Sequence, residues 1–351
     1  MERYLGADVH AASVTFSVLN ESGRQLRRDV IETNGKALVG YLRQIPGNKH
    51  LCIEEGEMSQ WLVEILSPYL DDLVVYRSQW RPGSKSDAID AHGLAEKLRT
   101  GQVDRWVYKD AQRFTALRDK ARAYTMVTRD VARVKCRLKS FYRSRGVPCS
   151  GTAIYRPAER VKRAQGLPPA RREAIEFLGR ELDALVALKA EAEEAMLRES
   201  RRHRIARLLE TAPGFGAVRV AQLLPIVITP WRFRTKRQFW AYCGFGVVTR
   251  STSDYVFEGG RWIRARVPQT RGLNFNHNRT LKSIFKGAAT TVIAHMGPNP
   301  LKTGYERRLA GGTKPNLAKL TVARQIAAIV LAMWKAEEKY DPGRHQEPAS
   351  N

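Results

Sequence analysis

The order of apolar patterns in the first eighty residues constrains this chain most: three strand-like segments precede any helix-like one, after which helix and strand alternate. Tyr4 to His10 reads as a strand, Ser13 to Leu19, with Val14, Phe16 and Val18 alternating, as a second, and Leu26 to Thr33 as a third. Glu21-Ser22-Gly23-Arg24 is a hairpin turn by composition. Leu38, Leu42 and Ile45 predict a helix after Asn34-Gly35. Leu51-Cys52-Ile53 is a short strand ending in Glu54-Glu55, Trp61 to Leu70 recurs at helical spacing, and Leu73 to Tyr76 makes a fifth strand. Three strands, helix, strand, helix, strand predicts a mixed sheet covered by helices, an α/β domain.

The rest reads as helical. Lys85 to Arg99 is a helix with Ser86 placed to cap its start and Gly101 just past its end. Ala111 to Arg145 is a long helical pattern with 11 basic and two acidic residues, and Arg171 to about Leu209 is another. The segment from Pro148 to Pro169 between them holds Gly and Pro. Two long helices with a bend predict an antiparallel helical hairpin or coiled coil. A third region opens at Ala212-Pro213-Gly214-Phe215-Gly216 and is expected to be mostly helical. The expected boundaries are 1–107 for the α/β domain, 108–205 for the hairpin, 206–340 for a C-terminal domain and 341–351 for a tail.

Charge separates these parts. Of 60 Lys+Arg and 35 Asp+Glu, residues 1–107 hold 13 and 15, so 108–351 hold 47 and 20. The whole excess of the +25 chain is C-terminal, which points to a polyanion, nucleic acid above all, as partner of that part. An apolar fraction of 43% argues against disorder. No run approaches about 18 consecutive apolar residues, and Arg3, Asp8 and His10 interrupt any signal-like start, so neither a membrane span nor secretion is expected. Cys52, Cys136, Cys149 and Cys243 are far apart, which signals neither a zinc site nor a disulfide framework and fits a reducing cytoplasm.

Four carboxylates stand out against that background. Asp8 lies in the first strand, Glu54 follows the fourth, and Asp87 and Asp90, three apart, share one helical face. Glu55 and Glu57 compete with Glu54, which directly follows the apolar strand. Converging anions repel unless a cation neutralises them, and oxygen ligands select Mg²⁺ or Mn²⁺. Such a site can orient a phosphodiester.

Tyr4-Leu5-Gly6-Ala7-Asp8, Cys52-Ile53-Glu54 and Lys85-Ser86-Asp87-Ala88-Ile89-Asp90-Ala91 with Leu94-Ala95-Glu96 resemble the RuvC-like (RNase H-like) Asp-Glu-Asp-Asp domain of the insertion-sequence transposases numbered family one hundred and ten, which include Piv-type DNA invertases. Leu208 to Gly216 is similar to that family's L-x-x-I-P-G-I-G segment and Ala241-Tyr242-Cys243-Gly244-Phe245 to its A-Y-x-G-L. Asn278, Leu281 and Lys282 fall where it has G-N-x-x-L-R. The resemblance implies a transposase or site-specific recombinase in which a C-terminal serine attacks DNA, giving a 5′-phosphoserine, with help from the acidic metal site. In some members a structured RNA encoded by the element pairs with donor and target, and the resemblance leaves such a guide RNA open here. It also implies a homodimer that assembles to a tetramer, with the hairpin as its dimerisation element.

The serine position departs from the family pattern. The aligned place is Thr252, between Ser251 and Ser253; the nucleophile is expected at one of these two serines, whose primary alcohol is less hindered, with Thr252 left open. Gly214 and Gly216 can present backbone N–H groups to a phosphate, and Arg271, Asn278, Lys282 and Lys286 are candidate nucleic-acid contacts. Trp231, Phe233, Phe239, Trp240, Tyr242 and Phe245 fit core packing better than base stacking, and no histidine has ligand spacing. Two other readings remain: a metal-dependent, junction-resolvase-like endonuclease, and a catalytically decayed nucleic-acid-binding protein.

Overall fold

The computed structural model describes residues 1–77, 86–103, 112–250, 255–264 and 269–343. The chain divides into two compact units, Met1–Asp110 and Ala111–Asn351.

The first unit contains strands β1 (Glu2–Val9), β2 (Ser13–Leu19), β3 (Gln25–Glu32), β4 (Asn48–Glu54) and β5 (Asp72–Tyr76) and helices α1 (Gly35–Arg43), α2 (Ser59–Leu66) and α3 (Asp87–Arg99). The sheet order is β3-β2-β1-β4-β5; β1, β2 and β3 are antiparallel neighbours, while β4 runs parallel to both β1 and β5. This is the expected mixed sheet.

Its two faces follow the period-two alternation of the strands. Leu5, Ala7, Val14, Phe16, Val18, Leu51 and Ile53 pack with Leu38, Leu42, Leu62 and Leu66 of α1 and α2. The opposite face sends Cys52 and Val74 against Leu94 and Leu98 of α3. Asn34 caps α1, its side chain accepting from the Ala37 N–H, and Ser86 caps α3 by accepting from Ile89.

Gly6 sets how closely α3 approaches β1. A Cβ there would stand 2.0 Å from the Ala91 carbonyl oxygen and 2.5 Å from the Ala95 nitrogen, both backbone atoms that cannot swing aside. Gly6→Ala is therefore expected to push α3 off the sheet and to destabilise the unit by about 1–3 kcal/mol or more. The urea midpoint measures it, and an unchanged midpoint would show that the helix lies further from the strand than described.

The second unit begins with α4 (Thr115–Arg143), α5 (Pro157–Ala164) and α6 (Pro169–Ser200). α4 and α6 run antiparallel: Lys120 pairs with Glu199 at 2.8 Å near one end, while Leu138 and Tyr142 pack with Ile175 and Leu182 near the other. Two details differ from the sequence expectation. The Gly/Pro segment contains α5, because Pro157 opens a helix at its first position, where a missing N–H costs nothing. The second long helix stops at Ser200, and α7 (Arg204–Leu209) is separate. The apolar stripe continues across that break, Met196, Ile205, Ala206 and Leu209 joining one core, so spacing alone reads as one helix. At the far end, buried Arg160 donates to the Tyr155 carbonyl at 2.9 Å and to both carboxylate oxygens of Asp183, while Tyr142 Oη donates to the Arg160 carbonyl.

The remainder holds α8 (Ala217–Val227), α9 (Lys236–Tyr242), β6 (Val247–Arg250), β7 (Tyr255–Glu258), β8 (Arg261–Arg264), β9 (Gln269–Leu273), α10 (Arg279–His295), α11 (Pro300–Ala310) and α12 (Pro315–Ala336). α12 is long and apolar enough to cross a membrane by length and composition, but Val322, Ala323, Ile326, Ala327 and Val330 are wholly buried in the core of this unit. Phe233, Phe239 and Phe245 join the same core, as expected, whereas Trp231 is exposed. The four strands were not foreseen. They are four or five residues long, and β7 is exposed along its whole length, so no core-facing alternation marks it.

Candidate active site

Asp8 is the penultimate residue of β1 and Glu54 the last of β4. Ala7 pairs with Ile53, so Asp8 and Glu54 are each one step further along neighbouring parallel strands. They share the parity of Gly6 and Cys52 and therefore the sheet face that α3 covers. Glu54 is half-buried, while Glu55 and Glu57 are exposed. Asp87 and Asp90 lie in the first turn of α3, behind the Ser86 cap.

His10 joins this group, which sequence reasoning missed. Its Nε2 lies 3.2 Å from Asp8 Oδ2 and 3.5 Å from Asp87 Oδ1. The turn after β1 holds it: its N–H donates to the Ser13 carbonyl at 2.9 Å, and Thr33 Oγ1 donates to its own carbonyl at 2.8 Å. The only signal in the sequence was its place two residues after Asp8. Toward an ionised carboxylate the imidazole must be the donor, so His10 orients Asp8 as a partner outside the ligand set would.

Ligand atoms of Asp8, His10 and Asp87 all lie within 4.8 Å of one another. Oxygens on opposite sides of Mg²⁺ stand about 4.2 Å apart, so the spacing of the Asp8 and Asp87 oxygens is close to what such an ion takes. The donor chemistry, carboxylates first, fits Mg²⁺ or Mn²⁺. Glu54 belongs to the same face through strand register alone.

Burial, above all, raises the pKa of Asp8 above its ordinary 3.8, and the charges of Asp87 and Asp90 push the same way, while His10 opposes them. A carboxyl raised on folding adds stability below its unfolded pKa, and that contribution is lost as pH rises through its folded pKa. In chelator, the melting temperature of the wild type should therefore fall relative to Asp8→Asn as pH rises from about 4 toward neutrality. Added Mg²⁺ should remove the difference. Paired thermal melts test this, and a pH-independent difference would contradict it.

In the second unit the expected residues part company. Ser251 and Ser253, with Thr252, lie outside the described residues, between β6 and β7 in sequence. Of Arg271 the structure describes the backbone, in β9. Asn278 caps α10, its side chain accepting from the Leu281 N–H at 3.0 Å. Gly214 has φ +69°, and a Cβ there would stand 2.4 Å from the Ala288 carbonyl of α10. Its role is close packing of loop on helix, reinforced by Arg219, which donates to the Gly214 carbonyl and, at 3.1 Å, to Thr291. Gly216, at the start of α8, has open space around it.

Lys282 and Lys286 do come together. With His277, Arg279, Ser283, Thr290 and Lys319 they line a groove of about 400 Å³ without a carboxylate among its lining residues. Lys319 comes from α12, and its place beside α10 could not be read from spacing. Such a groove suits phosphate oxygens.

Two comparisons with protein families bear on this arrangement. A family model described as a transposase, of the Asp-Glu-Asp-Asp type and named for IS110, matches residues 5–144, and one described as "Transposase IS116/IS110/IS902 family" matches 206–306. The first implies that the mixed sheet and its helices form a RuvC-like fold. No curated protein matches the chain. The first match takes in the acidic sheet face and the second reaches into the basic groove, in the order the sequence motifs led us to expect, and the chain belongs to the IS110 family of DNA transposases.

Proposed function

We propose that this transposase recombines DNA through a serine nucleophile assisted by the acidic face of its first unit. The observation that carries the reading is the meeting of Asp8 and Asp87 beside His10, with Asp90 close enough to act on the Asp8 charge. Asp8, Glu54, Asp87 and Asp90 would hold Mg²⁺ or Mn²⁺, which when bound supplies charge stabilisation for the reacting phosphate. His10 keeps the Asp8 carboxylate turned into the group.

Ser251 or Ser253 attacks the phosphodiester. An Oγ–P bond forms as the P–O3′ bond breaks, the serine proton passes to a carboxylate of the acidic group, and the leaving oxygen gains a proton to become a 3′-hydroxyl. The 5′-phosphoserine conserves the bond energy, so a 3′-hydroxyl from the partner strand restores a phosphodiester and frees the serine. Lys282 and Lys286, with Arg271 and the open approach at Gly216, hold the strand's phosphates. The α4–α6 hairpin pairs two chains, and two dimers supply the sites that strand exchange needs. A guide RNA encoded by the element would add base pairing to this scheme without changing its chemistry.

The test uses a fragment carrying the gene with its own flanking DNA, incubated with the full chain, a target plasmid, Mg²⁺ and transcripts of the flanks. Sequenced junctions between flank and target are the expected product. Cut ends without junctions would favour the endonuclease reading, and tight binding without cutting the decayed one.

A further inference from the structure

β7 and β8 form a two-stranded ribbon closed by Gly259-Gly260, with Tyr255 opposite Arg264, Val256 opposite Ile263 and Phe257 opposite Trp262. Alternation places Tyr255, Phe257 and Trp262 on one face.

That face carries large aromatic surface toward solvent. Trp262 is 67% exposed, Phe257 63% and Tyr255 48%. Phe257 and Trp262 meet edge to face, with centroids 5.3 Å apart and planes at 64°, a geometry that leaves ring faces open. A two-stranded ribbon is marginal on its own, and a cluster of three exposed aromatics signals a binding surface.

Charge identifies the occupant. The part of the chain that holds the ribbon, residues 108–351, carries 47 Lys+Arg against 20 Asp+Glu, so a polyanion with flat apolar groups suits both features better than a second, equally basic copy. The ribbon starts two residues after Ser253. Strands exchanged at that linkage leave their duplex, and their bases lose their stacking partners.

We propose that the aromatic face of the β7–β8 ribbon, led by Phe257 and Trp262, is a stacking platform for unpaired DNA bases beside the reacting linkage. Its position beside the nucleophile rests on the serine reading above; the stacking does not.

Fluorescence anisotropy of the full chain in chelator, with a labelled single-stranded DNA and the duplex of the same sequence, tests it. Phe257→Ala/Trp262→Ala should weaken single-strand binding by roughly 5- to 150-fold. Duplex binding, held by phosphate contacts, should change by no more than about twofold. Trp262→Phe should keep single-strand affinity. Val256→Thr/Ile263→Thr, on the opposite face, should leave both affinities in place and so report that the ribbon is intact.

Equal loss on both DNAs, or no loss, overturns the proposal. So does a loss confined to RNA of the same sequence, or a fall in sedimenting mass of the aromatic variant with single-strand affinity intact, which would assign the face to a second copy. Should Ser251→Ala and Ser253→Ala both leave covalent attachment to DNA unchanged, the serine reading fails while this assay still scores the platform.

Discussion

Asp8→Asn is expected to reduce DNA strand cleavage by roughly 10³-fold or more while leaving DNA affinity within about threefold, because it removes a metal-holding carboxylate and no phosphate contact. Asp8 is the best single position for this test. Its side chain is the most enclosed of the group for which distances are known, at 13% exposure against 59% for Asp87 and 54% for His10. Its pKa, raised first by burial and further by Asp87 and Asp90 and lowered by His10, reports the charges around it. A graded series should follow, Asp87→Asn and Asp90→Asn severe and Glu57→Gln silent, since Glu57 is exposed beyond the strand end that carries Glu54. Cleavage of a labelled duplex in Mg²⁺ measures all four. Equal loss in Glu57→Gln would mean that net charge, not placement on the α3 face, matters.

The serines carry the second large effect. One of Ser251→Ala and Ser253→Ala is expected to abolish covalent attachment to DNA and recombination, while the other keeps most of both, since a single hydroxyl can hold the in-line position. Losing the nucleophile removes an entire reaction path, so the affected variant should fall by about 10³-fold or more. Its Ser→Cys counterpart separates chemistry from folding, because a thiol fills nearly the same volume. Recombination assays on the three variants decide it, and full activity in both alanine variants would leave Thr252 or water as nucleophile.

Much of the first unit was legible because its strands alternate cleanly. β2 runs over Ser13–Leu19 as Val14, Phe16 and Val18 indicated, and Ser86 caps α3 as its position before Asp87 required. The same alternation made the acidic face readable, since Asp8 shares parity with Gly6, the residue that lets α3 approach. What sequence could not show is what tertiary contact decides. His10 bears on Asp8 through a tight turn, and Lys319 meets Lys282 and Lys286 only because α12 packs beside α10. Sequence also does not show that Asn278 caps α10 and that Gly214 packs against it, because capping and close packing draw on the same residue types as ligand contacts. The β7–β8 ribbon escaped notice because neither of its faces has a core to enforce a pattern.

The proposed reaction requires the carboxylates of the first unit and a hydroxyl of the second to act on the same phosphodiester. The direct measurement is a denaturing gel of protein mixed with a nicked DNA substrate labelled on the strand 3′ of the cleavage point. Wild type in Mg²⁺ should give a protein-linked labelled band, and that band should vanish in chelator, in Asp8→Asn and in one of the two serine variants. Protein-linked DNA that persists undiminished in Asp8→Asn, or free cleaved strands that persist when both serines are alanine, would contradict the account.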